Sequence, residues 1–395
     1  METESLRMVS PARRRVAFAL YVTVFVEGLM LAVPGPTLDA LSDNAGSTIG
    51  EIGVIFTANG LGFVLGALLA GRWYEKLDGN RLLIVSLLVM AAAAALVPTA
   101  RSLGVLLVLF VLTGVAIGMV DVGANTLLVW EFGEKVPPYM NALHLAWGLG
   151  AFAAPLIVAL LTELNGDASS AYWLFAAAIV PVALWLVTTP VTDIPPAAGS
   201  TKSPEVWRRH SKLIILISFL FFLHVGAELS FGGWVFSYAS ESGLGAETTA
   251  RVLNAVFWGG LVVGRLIAIP ISFRLSARSM IWLDLVGAGL ALAVVAILGD
   301  SPVAIWGGVG LFGVSIGSIF ASCINFAGTK MPITSRVTSA FLIGGSLGSM
   351  SLPWLTGVVF ARIGPETLPY MVGAMITVAV VLFAGTTRHA ASSAS

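Results

Sequence analysis

The chain has 395 residues, 57% of them hydrophobic and only 11% charged, with 21 basic and 21 acidic side chains. Soluble domains carry roughly 25% charged residues, so this composition cannot cover a water-soluble globule, and its mean hydropathy of +0.93 agrees. An ordinary soluble enzyme, a nucleic-acid binder and a disordered scaffold are excluded. Cys323 is the single cysteine, so no internal disulfide forms. No Walker lysine loop offers an ATP engine. The four histidines are too scattered for a zinc motif, so neither a metal nor a catalytic residue is expected.

A membrane helix needs about 20 apolar residues. Apolar runs punctuated by Gly, Pro or charge predict twelve spans, at 16–40, 48–72, 81–99, 102–130, 138–163, 170–189, 212–239, 249–272, 278–298, 302–328, 334–361 and 367–386. Arg13 to Arg15 precede the first run as in a signal peptide. The run continues for a full span, however, and reads as a retained helix. The Pro/Ser-rich stretch 191–211 reads as a linker between a six-helix bundle at 1–190 and another at 212–395. With an inside N-terminus, 17 Lys and Arg fall on the cytoplasmic side. That asymmetry places both termini in the cytoplasm of a multi-pass protein of the cell inner (plasma) membrane.

The halves repeat each other. Gly62 and Gly66 recur as Gly260 and Gly264, Gly114 and Gly118 as Gly313 and Gly317, and Gly150 with Pro155 as Gly348 with Pro353, all at offsets of 198 or 199. The glycines read as close-packing faces, placed where spans two, five, eight and eleven slide past each other. Parallel six-helix repeats are the architecture of major facilitator transporters, which bind substrate between the halves near the midplane.

A charge at the bilayer centre costs about 2.5–3.5 kcal/mol, so charges inside spans are candidates for function. Glu27 lies roughly 16 Å into span one at the helical rise. Glu228 in span seven follows it at an offset of 201 and reads as its near-equivalent. Asp121 in span four has Asn125 one turn on, while its repeat equivalent is near Phe320. Such an acid can load a proton on one side of the membrane and release it on the other, or offer hard oxygens to sodium. His224, at i, i+4 to Glu228, can join a proton relay. Asn141 and His144 make a polar face on span five, and Asn325 does so on span ten. Trp147, Trp234 and Trp258 lie deeper than the interfacial tryptophans and suit the apolar face of a sugar. Arg265 and Asp284 read as a structural pair at the inner gate.

The loop Gly71-Arg-Trp-Tyr-Glu75-Lys76-Leu-Asp78-Gly79-Asn-Arg81 resembles the major facilitator signature, with Glu for the usual Asp and one residue inserted before Gly79. By that resemblance Glu75 and Arg81 are gating residues. DVGANTLLVW (121–130), MNALHLAWGLGAFAAP (140–155), VGAELSFGGWVFSYA (225–239) and FWGGLVVGRLIAI (257–269) resemble the sodium-dependent glucose transporter-like branch, near the fucose permeases. The resemblance implies a sugar or related polyol moved with a cation, with Asp121, Asn125 and Glu228 at matching positions. Span five lacks the Gly-Pro-x-x-Gly-Gly run of drug/proton antiporters. The expectation is therefore a cation-coupled sugar symporter, with H+ favoured over Na+. It needs no cofactor beyond that ion, meets a small-molecule substrate and membrane lipid as partners, and works as a monomer. An exporter or flippase of a drug, lipid or glycolipid on the same fold is the alternative.

Overall fold

The computed structural model describes residues 10–190, 203–299 and 301–392. Among them every regular element is a helix. Twelve are long and apolar enough to cross a membrane: Pro11–Ala32, Ile49–Trp73, Gly79–Thr99, Leu103–Phe132, Pro137–Asn165, Ala168–Val187, Glu205–Glu241, Glu247–Ser272, Ala277–Ile297, Pro302–Gly328, Arg336–Ile363 and Thr367–Thr386. They match the predicted spans in number and order. Several starts are fixed by a side chain that accepts an otherwise orphaned amide. Ser10 caps Arg13, Asp78 caps Arg81 and Ser276 caps Ser279. Large apolar side chains such as Leu65, Leu88, Val108, Leu164, Leu290 and Val381 are exposed on the outer faces. A belt of this kind belongs in lipid.

Three boundaries differ from the sequence reading. The first span ends at Ala32, because Pro34 and Pro36 supply no amide donors. A separate helix, Pro34–Ala45, follows and ends on Gly46 with a left-handed φ of 60°. The expected linker 191–211 is shorter than predicted at its far end: residues 191–202 lie outside the described residues, and helix Ser203–Glu241 has already begun, with a kink at His210 (φ −118°, ψ 16°). The tenth span is two helices, Pro302–Ile316 and Ile319–Gly328, interrupted at Gly317–Ser318.

The repeated glycines pack helices closely, but inside each half. A Cβ on Gly62 or Gly66 would run into the Val111 or Val115 carbonyl of the fourth span, and one on Gly114 or Gly118 into the Asn59 or Phe63 carbonyl of the second. The second half repeats this with Gly260 and Gly264 against Gly310 and Val314, and Gly313 and Gly317 against Phe257 and Leu261. Gly150 meets Phe25 of the first span, as Gly348 meets Phe222 of the seventh. The expectation that these glycines serve the sliding surfaces is corrected. They bind each bundle together, and other residues join the bundles.

Those other residues make two seams. Thr57 of the second span donates to the Met350 carbonyl of the eleventh at 2.8 Å. Across the other seam Gly148 faces Val262, Gly259 faces Phe152, and Arg265 donates to the His144 carbonyl at 3.2 Å. The end carrying helix Pro34–Ala45 is drawn shut. Arg251, 3% exposed, donates from Nε to the Pro36 carbonyl at 3.3 Å and pairs with Glu247 at 3.0 Å. Ser237 donates to Asp39 at 3.4 Å.

Candidate functional site

Membrane-embedded polar groups lie on the first, fourth, fifth, seventh and eighth spans. From the first half come Glu27 and Asp121. Glu27 is 2% exposed, its Oε2 has no hydrogen-bond partner, and it lies within electrostatic reach of Asp121. Asn125 donates to the Asp121 carbonyl at 2.8 Å and to its Oδ1 at 3.1 Å, so the i, i+4 spacing does put acid and amide on one face.

The second half supplies His224 and Glu228, both buried, with Nε2 3.6 Å from Oε2. That is too long for a good hydrogen bond, and the other His224 nitrogen, Nδ1, has no partner. Half-buried Arg265 is the cation they share: its charge acts on His224, Glu228 and His144. It also crosses to the first half, through its bond to the His144 carbonyl and by lying 5.0 Å from the centre of the Trp147 ring. Trp147 in turn stands edge-on to Trp258 with centroids 6.0 Å apart, and the buried Trp258 Nε1 has no acceptor. Two sets result: the acids Glu27 and Asp121 with Asn125 in the first half, and an imidazole, a carboxylate, a guanidinium and two indoles that Arg265 and the Trp147–Trp258 contact join across the fifth and eighth spans. Such sets can hold a hydroxyl-rich ligand and neutralise a cation.

Residues 20–350 match the family model of the Major Facilitator Superfamily. The chain belongs to that superfamily. It is a transporter-family, multi-pass membrane protein. It is similar to mouse Sodium-dependent glucose transporter 1A, at 28% identity over 375 residues covering 86% of this chain and 88% of the relative. It is also similar to Major facilitator superfamily domain-containing protein 4A of Xenopus tropicalis, at 24% identity over 446 residues covering 91% and 89%. In fold it is similar to a bacterial homologue of the human lysosomal transporter Spinster, solved inward-facing and unoccupied (TM-score 0.77, 13% identity, 97% and 98% covered). It is likewise similar to the nucleoside transporter NupG (TM-score 0.72, 14% identity, 94% and 98% covered).

Within this major facilitator fold several sequence expectations are redrawn. The contact of Gly150 with Phe25 and of Gly348 with Phe222 sets the register of the repeat. Two residues on, the equivalent of Glu27 is His224, and Glu228 lies one turn beyond it. Arg265 and Asp284 are not a pair. Gly264 faces the tenth span, so the next residue, about 100° round the helix, points Arg265 toward the fifth span instead. Asp284 takes a hydrogen bond of 2.5 Å from Ser318. Trp234 belongs to neither set: it is fully buried, donates to the Pro353 carbonyl at 2.9 Å and wedges between Phe56 and Phe360.

Asn141 and Asn325 are exposed. Glu75 is exposed on its loop, and Arg81 lies 3.7 Å from Asp78, the residue that caps its own helix. Sequence reasoning missed Arg251, Asp39 and Ser318. The i, i+4 pair Glu247–Arg251 was the one readable signal. Burial raises the Asp39 carboxyl above the usual carboxylate range; the Ser237 hydroxyl and Arg251 oppose this, while Glu247 and Asp43 add to it.

Proposed function

We propose that this protein is a cation-coupled symporter of a sugar or a related polar small molecule, working by alternating access. The observation that carries the reading is a set of orphaned buried polar atoms on the first, seventh and eighth spans: Glu27 Oε2, His224 Nδ1 and Trp258 Nε1. An unsatisfied buried polar group costs about 1–3 kcal/mol. Three such atoms favour a ligand that brings hydroxyls to them, and the crossed Trp147–Trp258 pair offers an apolar wall. The names of the curated relatives, sodium-dependent glucose transporters, agree with a sugar.

In this reading Asp121 and Glu27 carry the coupling charge. A bare carboxylate at mid-membrane is costly, so the loaded, neutral form is the one that crosses. Arg265 senses the second half's charge through Glu228 and holds the first half through the His144 carbonyl. A change of charge at Glu228 therefore loosens or tightens the seam between spans five and eight. The positive-inside distribution supports cytoplasmic termini. The Arg251 and Asp39 seal then faces outward, in the plasma membrane, and the state observed is closed to the outside.

The test is counterflow of labelled sugars in proteoliposomes, with and without a pH gradient and in sodium-free buffer. A sugar that exchanges, and accumulates when only protons are supplied, supports the reading with H+ as the ion. Accumulation that needs sodium assigns the ion to sodium. If no sugar exchanges, the substrate class is wrong.

A further inference from the structure

Asp284 belongs to neither set and has no role in the cycle above. It stands in the ninth span, Ala277–Ile297, about 10 Å from its start at the helical rise. Among the described residues no Lys, Arg or His lies within ion-pair distance of it. The spans packed against the ninth are the tenth and the twelfth. Over 302–328 and 367–386 their titratable side chains are Cys323 and Tyr370, Tyr370 near the far end of its span; the twelfth helix continues to Ser392 and carries Arg388 and His389 beyond the span. Among the described side chains of these spans the acid has no counter-charge.

What it has instead is the interruption of the tenth span. Ser318, with φ −104° and ψ −8°, sits at the break and donates to Asp284 Oδ2 at 2.5 Å. The Gly317 amide turns back to the Val314 carbonyl at 3.4 Å, a weak short-range bond. The helix Pro302–Ile316 therefore ends at this point, with its last carbonyls and the negative end of its dipole beside a carboxylate. Ser315, one turn before Ser318, also comes over: a Cβ on Gly287 of the ninth span would stand 2.6 Å from its hydroxyl. Interrupted membrane helices use such freed carbonyls to hold cations.

The repeat shows that none of this is demanded by the scaffold. The third and ninth spans begin on equivalent caps, Asp78 and Ser276. That register puts Ser86 where Asp284 stands, and Ser86 bonds to its own helix at Leu82. The fourth span runs unbroken through Gly118 and Met119, the counterparts of Gly317 and Ser318. The acid and the break occur together in the second half and are both absent from the first.

We propose that Asp284, Ser318 and the chain break at Gly317 form a second binding site for a monovalent cation, H+ or Na+, separate from Glu27 and Asp121. Occupancy neutralises the carboxylate and fixes the two pieces of the tenth span to the ninth. Hard oxygens from a carboxylate, hydroxyls and backbone carbonyls suit either ion.

The chain carries its own reporter. Cys323, its single cysteine, is buried in the second piece of the tenth span and lies within electrostatic reach of Asp284. The rate of its alkylation by N-ethylmaleimide is measured on the purified protein in sodium chloride and in choline chloride at one fixed pH. It is measured again in choline across a range of pH, with Asp284→Asn as the reference at each point. Sodium that slows alkylation severalfold in the unmodified protein, but not in Asp284→Asn or Ser318→Ala, establishes a sodium site. No sodium effect, with a ratio to Asp284→Asn that changes as pH falls, establishes a proton site. Ser318→Ala keeps the acid and covers the case in which Asp284→Asn folds poorly. Equal rates in both salts and a pH-independent ratio overturn the proposal. So does loss of the effect in Asp121→Asn, which would assign it to the acids of the first half.

Discussion

In the first half the second span crosses the fourth through Gly62, Gly66, Gly114 and Gly118. In the second half the eighth crosses the tenth through Gly260, Gly264, Gly313 and Gly317, against the equivalent carbonyls. The chemistry hung on these matching frames is different. The first half presents acids, Glu27 and Asp121, with Asn125 bonded to Asp121. The second presents His224 where Glu27 would recur and Phe320 where Asp121 would recur. It adds Glu228, Arg265 and the Asp284–Ser318 junction. Close packing constrains both copies alike, because a methyl group too many at a crossing meets a backbone carbonyl. Positions away from the crossings carry no such constraint, so the copies are free to diverge there. The scaffold is symmetric and the charge is not.

The largest effect should come from the acid–amide pair of the first half. Asp121→Asn is expected to abolish uphill accumulation while leaving exchange, because the amide mimics a permanently loaded carrier. Full accumulation by this variant in proteoliposomes would remove Asp121 from coupling. Next comes the residue that joins the halves. Arg265→Gln loses one charge-assisted hydrogen bond to the His144 carbonyl, worth about 1.5–3 kcal/mol, and uptake should fall roughly tenfold or more. Arg265→Lys should recover part of that loss. Equal uptake by all three forms would break the picture of a cation-held seam.

The symmetry of the frame has its own test. Gly66→Val and Gly264→Val place the same side chain against the Val115 and Val314 carbonyls. Each should cost about 1–3 kcal/mol, the usual overpacking penalty, and by a similar amount. A clear inequality in detergent melting would show that the two bundles are not equivalent frames.

The smallest effect concerns the seal. Asp39 is held above the usual carboxylate range by burial. Opening returns it to solvent, so the sealed state binds the proton more tightly and is favoured as pH falls. Spin labels at Ser47 and Ser242, on opposite halves of this end, should move apart as pH rises. In Asp39→Asn their separation should not depend on pH.

Much of this was legible before any fold was known. The number and order of the spans follow from apolar run length, since a backbone in lipid must satisfy its own hydrogen bonds. The glycine repeat followed from a constant offset, and Asp121 with Asn125 from helical spacing. Other expectations failed for identifiable reasons. The offset of 201 reads Glu228 as the twin of Glu27, but the glycine register puts His224 there, and Glu228 lies one turn further along the same helical face. Arg265 was matched to Asp284 by depth alone, although they face different neighbours. Residue type and depth suit Trp234 to the face of a sugar, but its indole is spent on the Pro353 carbonyl.

The sequence alone determined that this chain lives in a membrane, how many times it crosses and that it is built twice. Those properties follow from composition and periodicity, which each segment carries by itself. Tertiary structure decided which partners the buried charges find: Arg265 with the His144 carbonyl and the field of Glu228, Asp284 with Ser318, and Arg251 with the Pro36 carbonyl. An unpaired charge inside a membrane has a large free energy and many possible partners. Which partner it finds depends on the rotation and crossing of whole helices, and no single helix encodes these.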